Sequence, residues 1–92
     1  METLLRERVR ERGGLCYKLA PTTAGLPDRL VVWPGGRVAL VEVKAPGGRL
    51  RPIQRVTHER LSEVGLTVAV LSSVEEVEEW VLLSYGSRLH LR

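Results

Sequence analysis

The stretch "LPDRLVVWPGGRVALVEVKAPGG", residues 26 to 48, holds two acids and a lysine: Asp28 directly after Pro27, Glu42 fourteen positions on, and Lys44 two beyond that. In an extended strand alternate side chains share a face, so Glu42 and Lys44 point the same way, about 6 to 7 Å apart. Val41 and Val43 then point into the opposite layer. The runs "RLVVW" and "RVALVEV" are rich in β-branched residues and joined by "PGG", whose glycines supply the positive φ of a hairpin turn. With that turn, paired residue numbers sum to about 71, which sets Asp28 opposite Val43 and beside Glu42 and Lys44; a bulge would shift the register by one residue.

Two carboxylates at such a separation repel unless something positive lies between them. A hard divalent cation with oxygen ligands, Mg²⁺ or Mn²⁺, does this naturally, whereas Lys44 can neutralise one carboxylate without satisfying both. A metal held by a few protein oxygens keeps water on its other positions. It can polarise a phosphate and lower the pKa of a bound water, while the lysine orients that water or stabilises the charge building at phosphorus. The plainer alternative pairs Asp28 with Arg29 or Arg37 and leaves Glu42 and Lys44 as a structural ion pair. In either case an acid inside "VALVEV" needs a partner, because a charge in apolar surroundings must be paired or neutralised.

The elements that must position these groups are marked by Gly and Pro. Leu5, Val9 and Arg12 recur at helical spacing before Gly13-Gly14 ends a first helix. "LCYKLA", 15–20, reads as a strand, and "PTTAGLPD", 21–28, as a loop. The continuous apolar run "VALV" predicts a strand covered on both faces, with helices on either side of the sheet. Pro52 suits the first turn of a second helix carrying Ile53, Val56, Leu61 and Val64 towards Gly65. "LTVAVL", 66–71, is a strand reached by that helical crossover, hence paired in parallel. "SSVEEVEEWVLLS" opens with Ser73 three residues before Glu76, a capping box, and offers Val74, Val77, Trp80 and Val81 as one buried face. Its "EEVEEW" stretch also presents a solvated acidic face. The last six residues, "SRLHLR", read as a short edge strand or a contact to a second subunit. The expected fold class is α/β, a mixed central sheet flanked by helices in the order α-β-β-β-α-β-α.

Composition narrows the function. With Trp33, Trp80, Tyr17 and Tyr85 as the aromatics and no Phe, the core must be largely Leu and Val. Ninety-two residues suffice for one core, so residues 1–92 are expected to form a single domain. Cys16 stands alone, which excludes an intrachain disulfide or a cysteine-based zinc site and makes the cytoplasm the natural compartment. No apolar run is long enough to span a bilayer, and the amino terminus lacks the apolar core of a signal peptide. Residues 1–60 hold twelve Lys or Arg against six acids, whereas 61–92 hold two against five. The basic part could face a polyanion, with phosphate the obvious candidate.

Pro27-Asp28 followed by Glu42-Val43-Lys44 resembles the PD-(D/E)xK nuclease signature, which by itself also fits many unrelated hairpins. The wider stretch is similar to the VRR-NUC domain over more than half the chain. The likeness lies in the G-x-P-D-R hairpin, the E-V-K-A-P-G loop, a glutamine just inside the next helix, and an L-x-x-x-G-x-x-V ending at Val68. A stand-alone, virus-type form, without a further domain, is expected. The resemblance implies a restriction-endonuclease-like core and a Mg²⁺- or Mn²⁺-dependent DNA endonuclease in which metal-bound water attacks phosphorus. Asp28 and Glu42 would bind metal through side chains and Val43 through its carbonyl. Lys44 would be the catalytic lysine, with Gln54 reaching the site from the following helix.

The family also uses an acid from the first helix, for which Glu2, Glu7 and Glu11 compete. Glu2 shares the stripe of Leu5 and Val9, whereas Glu7 and Glu11 turn away, so Glu2 is the choice. A homodimer is expected, because two copies would give two sites and a wider basic surface. Branched DNA, with four-way (Holliday) junctions leading, is the implied substrate; flaps, single strands or RNA, or a non-catalytic DNA-binding module, are the alternatives.

Lys18, Arg29, Arg49, Arg51 and Arg55 surround the proposed site in sequence and would position DNA through phosphates without reading bases. Each could equally be a solvated charge, and Lys18 an edge-strand lysine that deters aggregation. Without the family, Gln54 would be read as solvent-facing or as a helix-cap partner. His58, one turn beyond it, could reach phosphate but reads as a surface histidine and stays outside the main set. His90 has no catalytic context, and Cys16 reads as a core residue.

Overall fold

The computed structural model describes residues 1–20 and 22–86. Along the chain run α1 (Glu2–Glu11), β1 (Leu15–Lys18), β2 (Arg29–Val32), β3 (Val38–Val43), α2 (Pro52–Glu63), β4 (Val68–Leu71) and α3 (Val74–Gly86). The four strands form one sheet in the order β1-β2-β3-β4. The β1/β2 and β2/β3 pairs are antiparallel and β3/β4 is parallel, as a helical crossover between them predicts. Residues 87–92, expected as an edge strand or subunit contact, lie outside the described residues, as does His90.

The β2/β3 register corrects the expected one by a single step. Arg29 pairs with Val41 and Val32 with Val38, so paired numbers sum to 70, and the ladder extrapolates to Asp28 opposite Glu42. The cause is the turn. Trp33 N–H donates to the Arg37 carbonyl at 2.8 Å, which leaves three residues, Pro34, Gly35 and Gly36, outside the ladder instead of two. Gly35 and Gly36 take φ of 95° and 90°, which side-chain-bearing residues rarely adopt.

Alternation along the strands divides the sheet into two unlike faces. Val31, Trp33, Val41 and Leu71 point to one side, where Leu5 and Val9 of α1 and Val77 and Val81 of α3 close a dry core. Trp33 is 1% exposed; its ring packs on Trp80 and Tyr85, and its Nε1–H donates to Ser84 Oγ at 2.7 Å. On α3, Ser73 Oγ accepts from Glu76 N–H, while the Glu76 carboxylate reaches Ser72 N–H, not Ser73 as a strict capping box would have it. Val74, expected on the buried face, is 51% exposed at the first position of that helix.

The other face, carrying Leu30, Leu40 and Glu42, meets α2 and is covered only in part. Leu15, Tyr17, Val38 and Val70 remain exposed on it. β3 itself is covered on both sides as expected, with Leu40 and Val41 buried on opposite faces. The orientation of α2 is corrected: Ile53, Val56 and Val64 are exposed, and the buried positions are Gln54 and His58. The helix is turned by about 100°, one residue, from the reading based on its apolar side chains. The reason is chemical: the strand face it meets carries Glu42, which calls for polar partners. Among the described residues no helix is long and apolar enough to cross a membrane.

Trp33→Ala should lower the free energy of unfolding by about 3–5 kcal/mol, as truncation of a large buried aromatic does. Trp33→Phe, which keeps most of the packing and loses the bond to Ser84, should cost less. Urea denaturation of the two variants tests the order; equal losses would place the stabilisation in the indole N–H instead of in packing.

Candidate functional site

Three segments meet at the carboxyl end of β3. The hairpin brings Asp28 to Glu42, the strand continues to Lys44, and the first turns of α2 bring Gln54 and His58. Asp28 is anchored on both sides: its carbonyl accepts from Leu19 N–H at 2.9 Å, and its Oδ1 accepts from Val43 N–H at 3.3 Å. Gly25 lets the preceding loop approach α2, since a Cβ there would lie 2.5 Å from the Ile53 carbonyl oxygen. Thr57 Oγ1 fastens the same loop by donating to the Ala24 carbonyl.

Glu42 is 5% exposed. Its Oε2 accepts from Gln54 Nε2 at 3.2 Å and pairs with Lys44 Nζ at 3.6 Å. Gln54 is the joint of the site. Its Oε1 accepts from Lys44 Nζ at 3.0 Å and from Arg51 N–H at 2.8 Å, the latter bond closing the amino-terminal turn of α2. Two donors at Oε1 and one carboxylate at Nε2 fit the amide in one orientation only. The glutamine thus serves both as a helix-cap partner and as a member of the site.

The electrostatics are unfavourable to two free carboxylates. Burial pushes the Asp28 carboxyl above the usual range, opposed by the Val43 N–H and the Arg29 charge and reinforced by Glu2. Burial also pushes Glu42 up, and the Asp28 charge adds to this against the pull of Lys44 and Gln54. Burial, and after it Lys44, lowers His58. Oε1 of Glu42 and Nε2 of His58 are buried without a hydrogen-bond partner. Adjacent carboxylates, both held above their ordinary values and one with an unsatisfied oxygen, fit a hard divalent cation. Among the described residues no three acidic, histidine or cysteine side chains form a ready metal cage. Two carboxylates with room for water and phosphate are what Mg²⁺ sites commonly offer.

The remaining candidates are distributed unevenly. Glu2 reaches the end of the sheet from α1 and, with Met1 and Thr3, faces Val43, Lys44 and Ala45 across an open hollow. Its carboxylate is engaged by Arg29 Nη2 at 2.6 Å. Of its rivals, Glu11 pairs with Arg8. Arg29 is 6% exposed, and its guanidinium also donates to the Asp28 carbonyl, so it ties α1 to Asp28 and has little freedom to meet a phosphate. Lys18, Arg49, Arg51 and Arg55 are exposed, Lys18 on the sheet face opposite Glu42. The Val43 side chain packs against the core, leaving only its main chain towards the site. Cys16 is half-buried against the core, as expected. His58 is the residue that sequence reasoning left out. Its signal was there: Gln54 and His58 stand four apart, on one face of a helix.

The chain is similar to known sequences and structures. Residues 6–75 match the VRR-NUC domain. The chain is 45% identical over 74 residues to "Putative nuclease p44" of Acyrthosiphon pisum secondary endosymbiont phage 1, a match covering 79% of this chain and 80% of that protein. It also superposes on a solved VRR-NUC domain with a TM-score of 0.80 and 34% identity, over 87% of this chain and 88% of the other.

The raised carboxyls fix the sign of a pH effect. The folded protein keeps protons that the unfolded chain releases near its ordinary values, 3.8 for Asp and 4.5 for Glu. Without metal, stability should therefore fall as pH rises from those values through the higher folded ones. Urea unfolding in EDTA from about pH 3 to 8 should show this decline in the wild type and a flatter profile in Asp28→Asn/Glu42→Gln. An unchanged slope in the double variant would assign the effect to other groups.

Proposed function

Because this chain belongs to the VRR-NUC domain family, we propose that residues 1–92 form one metal-dependent DNA endonuclease domain of the PD-(D/E)xK class, hydrolysing phosphodiester bonds in branched DNA such as four-way junctions. The observation that carries this reading is the convergence of Asp28, Glu42 and Lys44 at the end of β3, with one buried oxygen of Glu42 left without a hydrogen-bond partner. The name of the phage relative, "Putative nuclease p44", points the same way.

In this reading Asp28, Glu42 and the Val43 carbonyl would hold Mg²⁺ or Mn²⁺, with Glu2, held by Arg29 at the end of α1, as the further candidate ligand. The cation would supply a Lewis acid that polarises the phosphodiester and makes water acidic enough to attack. Lys44 places its ammonium on the same face as Glu42, where it can orient the attacking water and offset charge building on the phosphoryl oxygens. Gln54 keeps Lys44 and Glu42 at their working separation. As the water oxygen bonds to phosphorus, the opposite P–O ester bond breaks and the leaving oxygen takes a proton. Lys18, Arg49, Arg51 and Arg55 contact backbone phosphates, and Arg29 holds Glu2 and Asp28 in place.

A homodimer suits paired cuts in a junction. Its support is the partly uncovered sheet face with Leu15, Tyr17, Val38 and Val70. A cytoplasmic setting is supported by the single free thiol, Cys16.

Purified protein given labelled four-way junction, flap and linear duplex should cut the junction fastest with Mg²⁺ or Mn²⁺ and nothing in EDTA. Glu42→Ala should abolish cutting, and Lys44→Met should slow it about 10²–10³-fold, the usual effect of removing a single charge-stabilising donor. A wild type inert on all three substrates with metal, or a Glu42→Ala protein that cuts equally well, overturns the mechanism. Sedimentation should give a mass near twice 10.3 kDa; a monomer at every concentration removes the paired-cut argument.

A further inference from the structure

Two buried polar atoms of the site face each other without a hydrogen bond: Oε1 of Glu42 and Nε2 of His58, 3.9 Å apart. Buried polar groups are almost always satisfied, so a facing pair of this kind calls for an account. The other Glu42 oxygen is already served by Gln54 and Lys44. His58 lies one turn after Gln54, on the face of α2 turned to the sheet, and is 9% exposed. That depth is unsuited to meeting a phosphate from solvent. It suits holding a neighbour.

We propose that His58 is a positioning residue for Glu42, directing Nε2–H at Oε1 so that both oxygens of the carboxylate are held and its plane is fixed towards Asp28. The separation exceeds a direct bond by about 1 Å, which a small rotation of the carboxylate or the imidazole closes. Nε2 carries a proton in the charged ring and in one of the two neutral tautomers, so the contact needs no change of protonation. A carboxylate oxygen has more than one acceptor direction, and accepting from His58 leaves Oε1 able to meet a cation. Carboxylates that hold metals are commonly oriented by such hydrogen bonds, and losing the partner costs about 10–100-fold in metal affinity or activity.

This inference rests on the reading of Glu42 as a metal-holding carboxylate, and two measurements separate the failure of one from the failure of the other. The first uses metal-free protein: ¹⁵N NMR of the His58 ring should show the proton on Nε2, and the signal should move in Glu42→Gln. A ring protonated on Nδ1 alone overturns the proposed contact. The second is calorimetric titration with Mg²⁺ and Mn²⁺ in the absence of DNA. His58→Ala should weaken binding about 10–100-fold, and His58→Gln, which keeps an N–H donor of similar reach, should restore most of the loss. Affinity unchanged in His58→Ala, or equally poor in both variants at unchanged Tm, overturns the positioning role. A wild type that binds neither metal removes the metal reading, while the ring NMR still decides the His58–Glu42 contact. Should His58→Ala fail to fold, His58→Gln against wild type and the NMR result decide it.

Discussion

A carboxylate buried in a β-strand beside a second carboxylate is opposed by desolvation and by repulsion at once, and Glu42 is in that position. The polar architecture around it follows from that burden. Lys44 answers part of the charge, and Gln54 answers an oxygen of Glu42 while holding Lys44 by its own carbonyl. Gln54 can do so because Arg51 N–H, an amide that the start of α2 leaves without a helical partner, also bonds to it. The beginning of a helix and the geometry of a site are thus one interaction. It is incomplete at one point, an oxygen of Glu42 that no hydrogen-bond donor reaches.

The unlike faces of the sheet show how a small chain tolerates that burden. Leu5, Val9, Val31, Trp33, Val41, Val77 and Val81 place the apolar packing on the side of α1 and α3. The opposite side, with Glu42, Gln54 and His58, is built from polar groups that satisfy one another incompletely. Because Val41 and Val43 alternate with Glu42 and Lys44, a single strand anchors the core and carries the site. Such a strand holds its side chains more rigidly than a loop could, which matters when two carboxylates must keep a fixed separation.

Much of this was legible in the sequence, and what was not has physical causes. The element order followed from periodicity and Gly/Pro punctuation, and the shared face of Glu42 and Lys44 from alternation alone. The register slipped by one because "PGG" allows a two-residue or a three-residue loop, and only the Trp33–Arg37 bond settles which. The face of α2 was misread because Ile53, Val56 and Val64 are the helix's conspicuous apolar residues, yet they face solvent. A hydrophobic pattern predicts burial against an apolar surface, and this helix meets a carboxylate. For the same reason His58 looked superficial. Arg29 looked like a phosphate contact because charge is visible in a sequence, while its engagement by Glu2 and by the Asp28 carbonyl requires the fold.

The register step has a consequence beyond bookkeeping of pairs. With paired numbers summing to 70, the ladder runs on to set Asp28 opposite Glu42 and leaves Val43 N–H free to reach the Asp28 carboxylate. A two-residue turn would set Asp28 opposite Val43, on the other face from Glu42, because a shift of one residue exchanges the faces of a strand. The third residue of the turn therefore decides whether the carboxylates meet at all. Their meeting raises the free energy of the folded chain in the absence of a cation, and any ion bound only by the folded form returns stability in proportion to the logarithm of its concentration over Kd. The apolar packing behind the strands is what holds the two carboxylates together against that cost.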